Sequence, residues 1–238
     1  MAEPHPSIDE LLQRLASEDR TEQRRACDAA TALLKVEPRF QSVLNRMLQD
    51  GTLRARFSAA WVLFQTSGPT LRLLPALLDS LESSDGDMRW SATHMLATLG
   101  RMHGEAVEVL LHVARTADSA RRRRMALYAV REVAPDRPET RVAVLDALDD
   151  DDSGVRRAAL TSLAKLSEPD AACLLRALDA LDQEDDPAMR RIAAVLIPDL
   201  VRHHPDRRSE ARGRLESVRR SDDSALARAA EAALTRLD

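Results

Sequence analysis

Apolar residues recur along this chain with the beat of amphipathic helices, and short polar stretches interrupt them at regular intervals. Residues 138–168 show the unit. Pro138 opens a helix, since its missing N–H costs nothing in a first turn, and Val142, Leu145 and Leu148 follow at helical spacing. The run from Asp149 to Gly154 breaks the pattern with residues that favour caps and turns. A second helix then carries Val155, Ala159, Ser162, Leu163 and Leu166 on one stripe. The same helix–turn–helix reads throughout. First helices are expected near 7–17, 38–49, 69–83, 104–116, 138–148, 169–183 and 206–220. Second helices are expected near 21–36, 53–66, 87–100, 119–134, 153–167, 187–203 and 223–237. Pro75 and Pro198 should each kink the helix that holds it, because proline removes a backbone bond and clashes with the preceding turn.

An arginine punctuates the second helices at a nearly fixed interval. Arg24, Arg56, Arg89, Arg123, Arg156 and Arg190 are separated by 32, 33, 34, 33 and 34 residues. Three places after it stands an alanine column, Ala59, Ala92, Ala126, Ala159 and Ala193, and then large apolar residues, Leu63, Leu96, Val130, Leu163 and Ile197. A period of this size means stacked helical units instead of one globular core. The expected fold is an all-α solenoid of about seven α-hairpins forming a single array over residues 1–238. Its units lie near 7–37, 38–67, 68–101, 102–135, 136–168, 169–204 and 205–238.

The pattern of aspartate, turn, apolar-Arg, paired alanines and leucine resembles the HEAT-repeat family. More narrowly it is similar to HEAT-like repeats of bacterial scaffolds and of phycobilisome-lyase relatives. The resemblance covers residues 7–238. It implies that the column arginine pairs with turn aspartates and ties successive units together. Asp85, Asp152 and Asp186, four residues before Arg89, Arg156 and Arg190, also suit helix N-caps. The first unit, with Thr31 in place of leucine, and the seventh, with Ala227 in place of arginine, depart from the pattern as end units do.

Composition narrows the function classes. Hydrophobic residues make 44% and charged residues 31%, as in a folded protein. No stretch reaches the roughly 20 apolar residues of a membrane span. The N-terminus, Met1 to Pro6, lacks the basic start and apolar run of a secretory signal, so a cytoplasmic location is expected. Cys27 and Cys173, read as equivalent places in apolar helices, are expected to be buried unpaired thiols. A net charge of −4 excludes a uniformly basic nucleic-acid binder. The acidic run Asp149–Asp152 reads as caps, since no EF-hand spacing follows it. His203 and His204 lack a third ligand for zinc. The run Arg121–Arg124 opens a helix, where positive charge opposes the dipole. No catalytic motif, cofactor site or metal site is expected.

The candidate site comes from helix geometry. Positions 1, 5 and 8 after the column arginine lie near 100°, 140° and 80° on the helical wheel, about opposite the core stripe. Those positions hold Phe57, Trp61, Phe64, Trp90, His94, Arg124, Tyr128, Arg131, Arg157 and Arg191, and five of the six aromatic residues of the chain fall among them. By resemblance this face is the concave one. Exposed Trp, Tyr and Arg mark recognition surfaces, so a non-enzymatic scaffold that grips a peptide, helix or acidic surface of another protein is expected. The competing account packs the rings on one another across units. Family resemblance offers two further functions. Some HEAT-like proteins are alkylpurine DNA glycosylases, and an aromatic-plus-Arg face suits nucleic acid, although Glu132 is the one carboxylate at its edge. The other is a bilin lyase or lyase-like chaperone, for which the residues offer no independent chemistry.

Overall fold

The structure, a computed structural model, describes residues 7–183 and 185–238; the N-terminal reading of Met1 to Pro6 lies outside them. The chain divides into two compact units, residues 1–106 and 107–238. The first holds α1 (Ile8–Leu15), α2 (Arg20–Val36), α3 (Phe40–Asp50), α4 (Leu53–Ser67), α5 (Leu74–Ser80) and α6 (Gly86–Met102). The second holds most of α7 (Gly104–Thr116), then α8 (Ala120–Val133), α9 (Pro138–Asp146), α10 (Ser153–Leu163), α11 (Ala171–Gln183), α12 (Pro187–Val201), α13 (Arg208–Val218) and α14 (Ser224–Leu237). No strand occurs among the described residues. The fold class is all-α, an α-solenoid.

Each even-numbered helix starts on a side-chain cap. Asp19, Thr52, Asp85, Ser119, Asp152, Asp186 and Asp223 accept hydrogen bonds from the exposed N–H groups of the first turn. A cap of this kind stabilises a helix by about 1 kcal/mol. Seven of them set the start of every second helix. The alanine column is fully buried, and Leu63, Leu96, Val130, Leu163 and Ile197 beside it are buried too. Small side chains there let helices approach closely while the larger ones fill the layer between them.

The column arginine closes the other end of the hairpin. Arg56 Nε donates to the carbonyl of Leu48 (3.2 Å), Arg89 to Ser83 (2.5 Å), Arg156 to Asp150 (2.8 Å) and Arg190 to Leu181 (2.9 Å). Arg123 donates to the carbonyls of both Ala117 and Asp118. These carbonyls end the first helix of the same hairpin, where four acceptors lack helical partners. A second bond runs onward to the next hairpin where an aspartate is in reach: Arg56 to Asp79 (2.6 Å) and Arg123 to Asp150 (2.7 Å). Asp85, Asp152 and Asp186 are the N-caps.

Two expectations need correction. Pro75 does not kink a helix; it sits in the first turn of α5, after a 3₁₀ turn at Leu71–Leu73, where its missing N–H is harmless. Cys27 and Cys173 are not equivalent, since Cys27 lies on a second helix, α2, and Cys173 on a first helix, α11. Both thiols are buried and unpaired. Burial pushes Cys27 up to about 11 and Cys173 up to about 12, so both stay protonated at neutral pH. Pro198 lies three residues before the end of α12, which continues through it. His204 Nε2 donates to the carbonyl of Pro169 (2.8 Å) and His103 Nε2 to that of Pro69 (3.0 Å), so each ring clasps the base of its own hairpin.

Candidate functional site

In the first unit the second helices α2, α4 and α6 converge. Arg20, at the start of α2, reaches over the start of α4 to the start of α6. Its Nε and NH2 bind Asp85 at 3.2 and 2.8 Å, and its NH1 binds Asp87 at 2.6 Å. The partners are 65 and 67 residues apart, in the first and third hairpins. One side chain spans that gap only if the second helices crowd together, so their side of this unit is concave. Helix α4 is thereby recessed, and its outward side chains become the floor of a groove.

That floor is Phe57 and Trp61, with ring centroids 6.3 Å apart and planes tilted by 42°. Phe57 is buried at 8% exposure and Trp61 is half-buried. Cys27 from α2 and Met88 from α6 complete an apolar lining, and Arg24, Asp28 and Ser91 stand at the rim. The groove has a volume of ≈ 360 Å³, within the roughly 300–1,000 Å³ range of ligand clefts. Beneath one end runs a polar chain. Gln23 donates to Ser58 (2.7 Å), Ser58 to the carbonyl of Leu15 (2.7 Å), and Arg54 to Gln23 (3.3 Å) and Glu18 (2.8 Å).

Burial works to raise the pKa of Asp85, but the N–H groups of Met88 and Asp87 and the charges of Arg20 and Arg54 carry it below the ordinary 3.8. In the second unit the Arg123 guanidinium does the same to Asp150. Both carboxyls therefore bind protons less readily folded than unfolded. Their stabilisation is complete above the unfolded value and is lost as pH falls through the lower folded values. Urea unfolding midpoints should fall steadily below about pH 4, and Asp150→Asn should flatten that decline. An unchanged acid limb in the variant would remove Asp150 as a contributor.

The ten residues expected on this face split evenly between the units. In the first, Phe57 and Trp61 line the groove, while Phe64 is half-buried further along α4. Trp90, at 47% exposure, and the exposed His94 lie on α6 outside the groove lining. In the second, the arginines face the neighbouring second helix. Arg157 pairs with the cap Asp186 (3.6 Å) and Arg191 with the cap Asp223 (3.0 Å). Arg124 leans on Gly154, where a Cβ would stand 2.9 Å from both Arg124 NH1 and Asp152 Oδ1. Arg131 covers the ring of Tyr128 (4.5 Å to the centroid), donates to Thr161 (3.2 Å) and pairs with Glu132.

The uniformly outward face predicted from the helical wheel is thus corrected. Phe57 is buried, as are Ala97 and Pro198 at equivalent positions. A direction away from a hairpin's own core points partly into the seam with the next second helix. Arg20, Met88, Ser91, Asp85 and Asp87 escaped the sequence reading because a contact across two hairpins leaves no local spacing signal.

Stacked hairpins with capped second helices and a groove on the second-helix side define an α-solenoid. Residues 107–198 match the family model of HEAT repeats. Solved structures agree in fold. Kap95p, in a structure concerned with RanGDP, aligns with a TM-score of 0.67 at 15% identity over 96% of this chain and 35% of its own. Kap95 in a complex with Nup1 gives 0.64 at 15% identity, over 97% of this chain and 35% of its own. A designed armadillo repeat protein gives 0.50 at 16% identity, over 98% of this chain and 100% of its own. The chain therefore spans about a third of the Kap95 length. No curated protein matches it in sequence. No helix among the described residues is long and apolar enough to cross a membrane.

Proposed function

We propose that this protein is a non-enzymatic scaffold that docks a segment of a partner protein in the second-helix groove of its first unit. The observation that carries this reading is the apolar floor of Phe57 and Trp61, recessed between α2 and α6 yet open to solvent at Trp61. Aromatic anchors on rigid helices lose little entropy on binding and supply much of the energy of an interface. Trp90 and His94 extend the contact along α6. In the second unit Arg131, Arg157 and Arg191 already have partners within the chain. Kap95, similar in fold, is seen in a complex with Nup1, which favours a protein ligand. Nucleic acid is the poorer fit, because Asp28, Asp85 and Asp87 line the groove and would repel phosphates. Two free buried thiols support a reducing, cytoplasmic setting.

The test is site-specific cross-linking in the native host. A photo-reactive benzoylphenylalanine in place of Ser91, at the groove rim, should capture a discrete partner. The same group in place of Val142, on a first helix, should not capture that protein. Equal capture from both positions would move the interface off the groove.

A further inference from the structure

The second unit carries a different concavity on its first-helix side. Residues of α7, of α9 and of the turn that follows α9 line a groove of ≈ 480 Å³. Its floor is apolar, built from Leu111, Ala114, Ala143 and Ala147. At the C-terminal end of α7 it runs into a shallower hollow that shares Arg115, Thr116 and Asp150 with it.

The charge around this floor is one-sided. Glu108, Glu139 and Asp146 stand along the groove, Asp118, Asp149 and Asp151 along the hollow, and Asp150 belongs to both. Only two guanidinium groups, Arg115 and Arg123, line the same surface. Arg123 is committed to Asp150, and Arg115 lies 3.6 Å from Asp146. Arg137 and Arg176 reach Glu108 and Asp149 from outside the lining. Arg156 bonds the carbonyls of Asp150 and Asp151, so with these three counted seven carboxylates face five guanidinium groups. The surplus is two negative charges on one groove, against a net −4 for the whole chain of 238 residues. Asp118, Glu139 and Asp151 are all exposed.

We propose that the α7–α9 groove is a second docking site, which takes a basic amphipathic segment of a partner protein. An apolar side chain of the segment rests on Leu111, Ala143 and Ala147, and flanking Lys or Arg residues face the carboxylates. Complementary charge of this kind steers encounter and selects against acidic partners. The site is built from residues 108–151 alone, so it stands whether or not the second-helix groove binds anything.

The probe is a fluorescein-labelled peptide of about 18 residues with Leu at helical i, i+3, i+4 spacing and Lys elsewhere. Its companion carries Glu in place of Lys. Fluorescence anisotropy with the full chain should show binding of the Lys peptide, weakening as salt rises to roughly 300 mM, and no binding of the Glu peptide. Glu139→Lys combined with Asp151→Lys should weaken the Lys peptide at least about tenfold, and Thr116→Trp, which fills the groove mouth, should do likewise. Trp61→Ala should leave this binding intact. Glu216→Lys with Asp222→Lys, outside the groove, is the control for diffuse attraction. The proposal falls if the Glu peptide binds as well, if the groove variants bind as the native chain does, or if the control weakens binding equally.

Discussion

Trp61→Ala is expected to weaken binding of the partner captured at position 91 by about 2 kcal/mol, close to thirtyfold. The ring supplies the half-open part of the groove floor, and its partner Phe57 is already covered. Truncation leaves a hollow that the partner must fill or leave empty, and either lowers the contact energy. Trp90→Ala tests the outer part of the same surface with little risk to the fold, because nearly half of that side chain is in solvent. Titration calorimetry should report both losses while helical circular dichroism stays constant. Trp61→Phe, which keeps an aromatic floor, should recover part of the affinity. Should Trp61→Ala reduce stability and leave affinity untouched, the ring is a packing residue and the groove is not the interface.

The second large effect separates two members of one sequence column. Arg123→Ala should destabilise the second unit by about 2–3 kcal/mol, somewhat less than the 3–5 kcal/mol of a fully buried pair. Its side chain is 17% exposed and that of Asp150 12%. Removal leaves Asp150 without its forked partner and the carbonyls of Ala117 and Asp118 without donors. Arg24→Ala, at the equivalent place in the first hairpin, should change stability by less than about 0.5 kcal/mol. That side chain is 78% exposed, and its nearest carboxylate, Asp87, is 4.0 Å away. Urea denaturation of the two variants should show the contrast. Comparable losses would mean that the arginine acts through helix propensity or long-range charge instead of through its carbonyl bonds.

The two arginines show where sequence periodicity stops being informative. The 32-to-34-residue spacing, the aspartate four places ahead of Arg89, Arg156 and Arg190 and the alanine three places behind five of the six arginines are local signals. They follow from helix geometry and capping chemistry, so the helices, the caps Asp85, Asp152 and Asp186, and the buried alanine and leucine columns were legible in the sequence. The partners of a given arginine were not. Arg123 finds Asp150 because α9 brings it within reach, whereas Arg24 has no preceding first-helix carbonyl bound in the same way.

The candidate site divides along the same line. Sequence by itself determined the hairpin repeat, the all-α solenoid and the gathering of aromatic residues on second helices, since each depends on spacing within about one helical turn or one unit. Tertiary structure alone decided which of those residues meet solvent. Phe57 is buried and Trp90 exposed at the same column position because the Arg20 bridge to Asp85 and Asp87 draws α2 and α6 together over α4. Exposure depends on how closely neighbouring hairpins approach, and that distance is set by contacts 65 residues apart that no local pattern encodes.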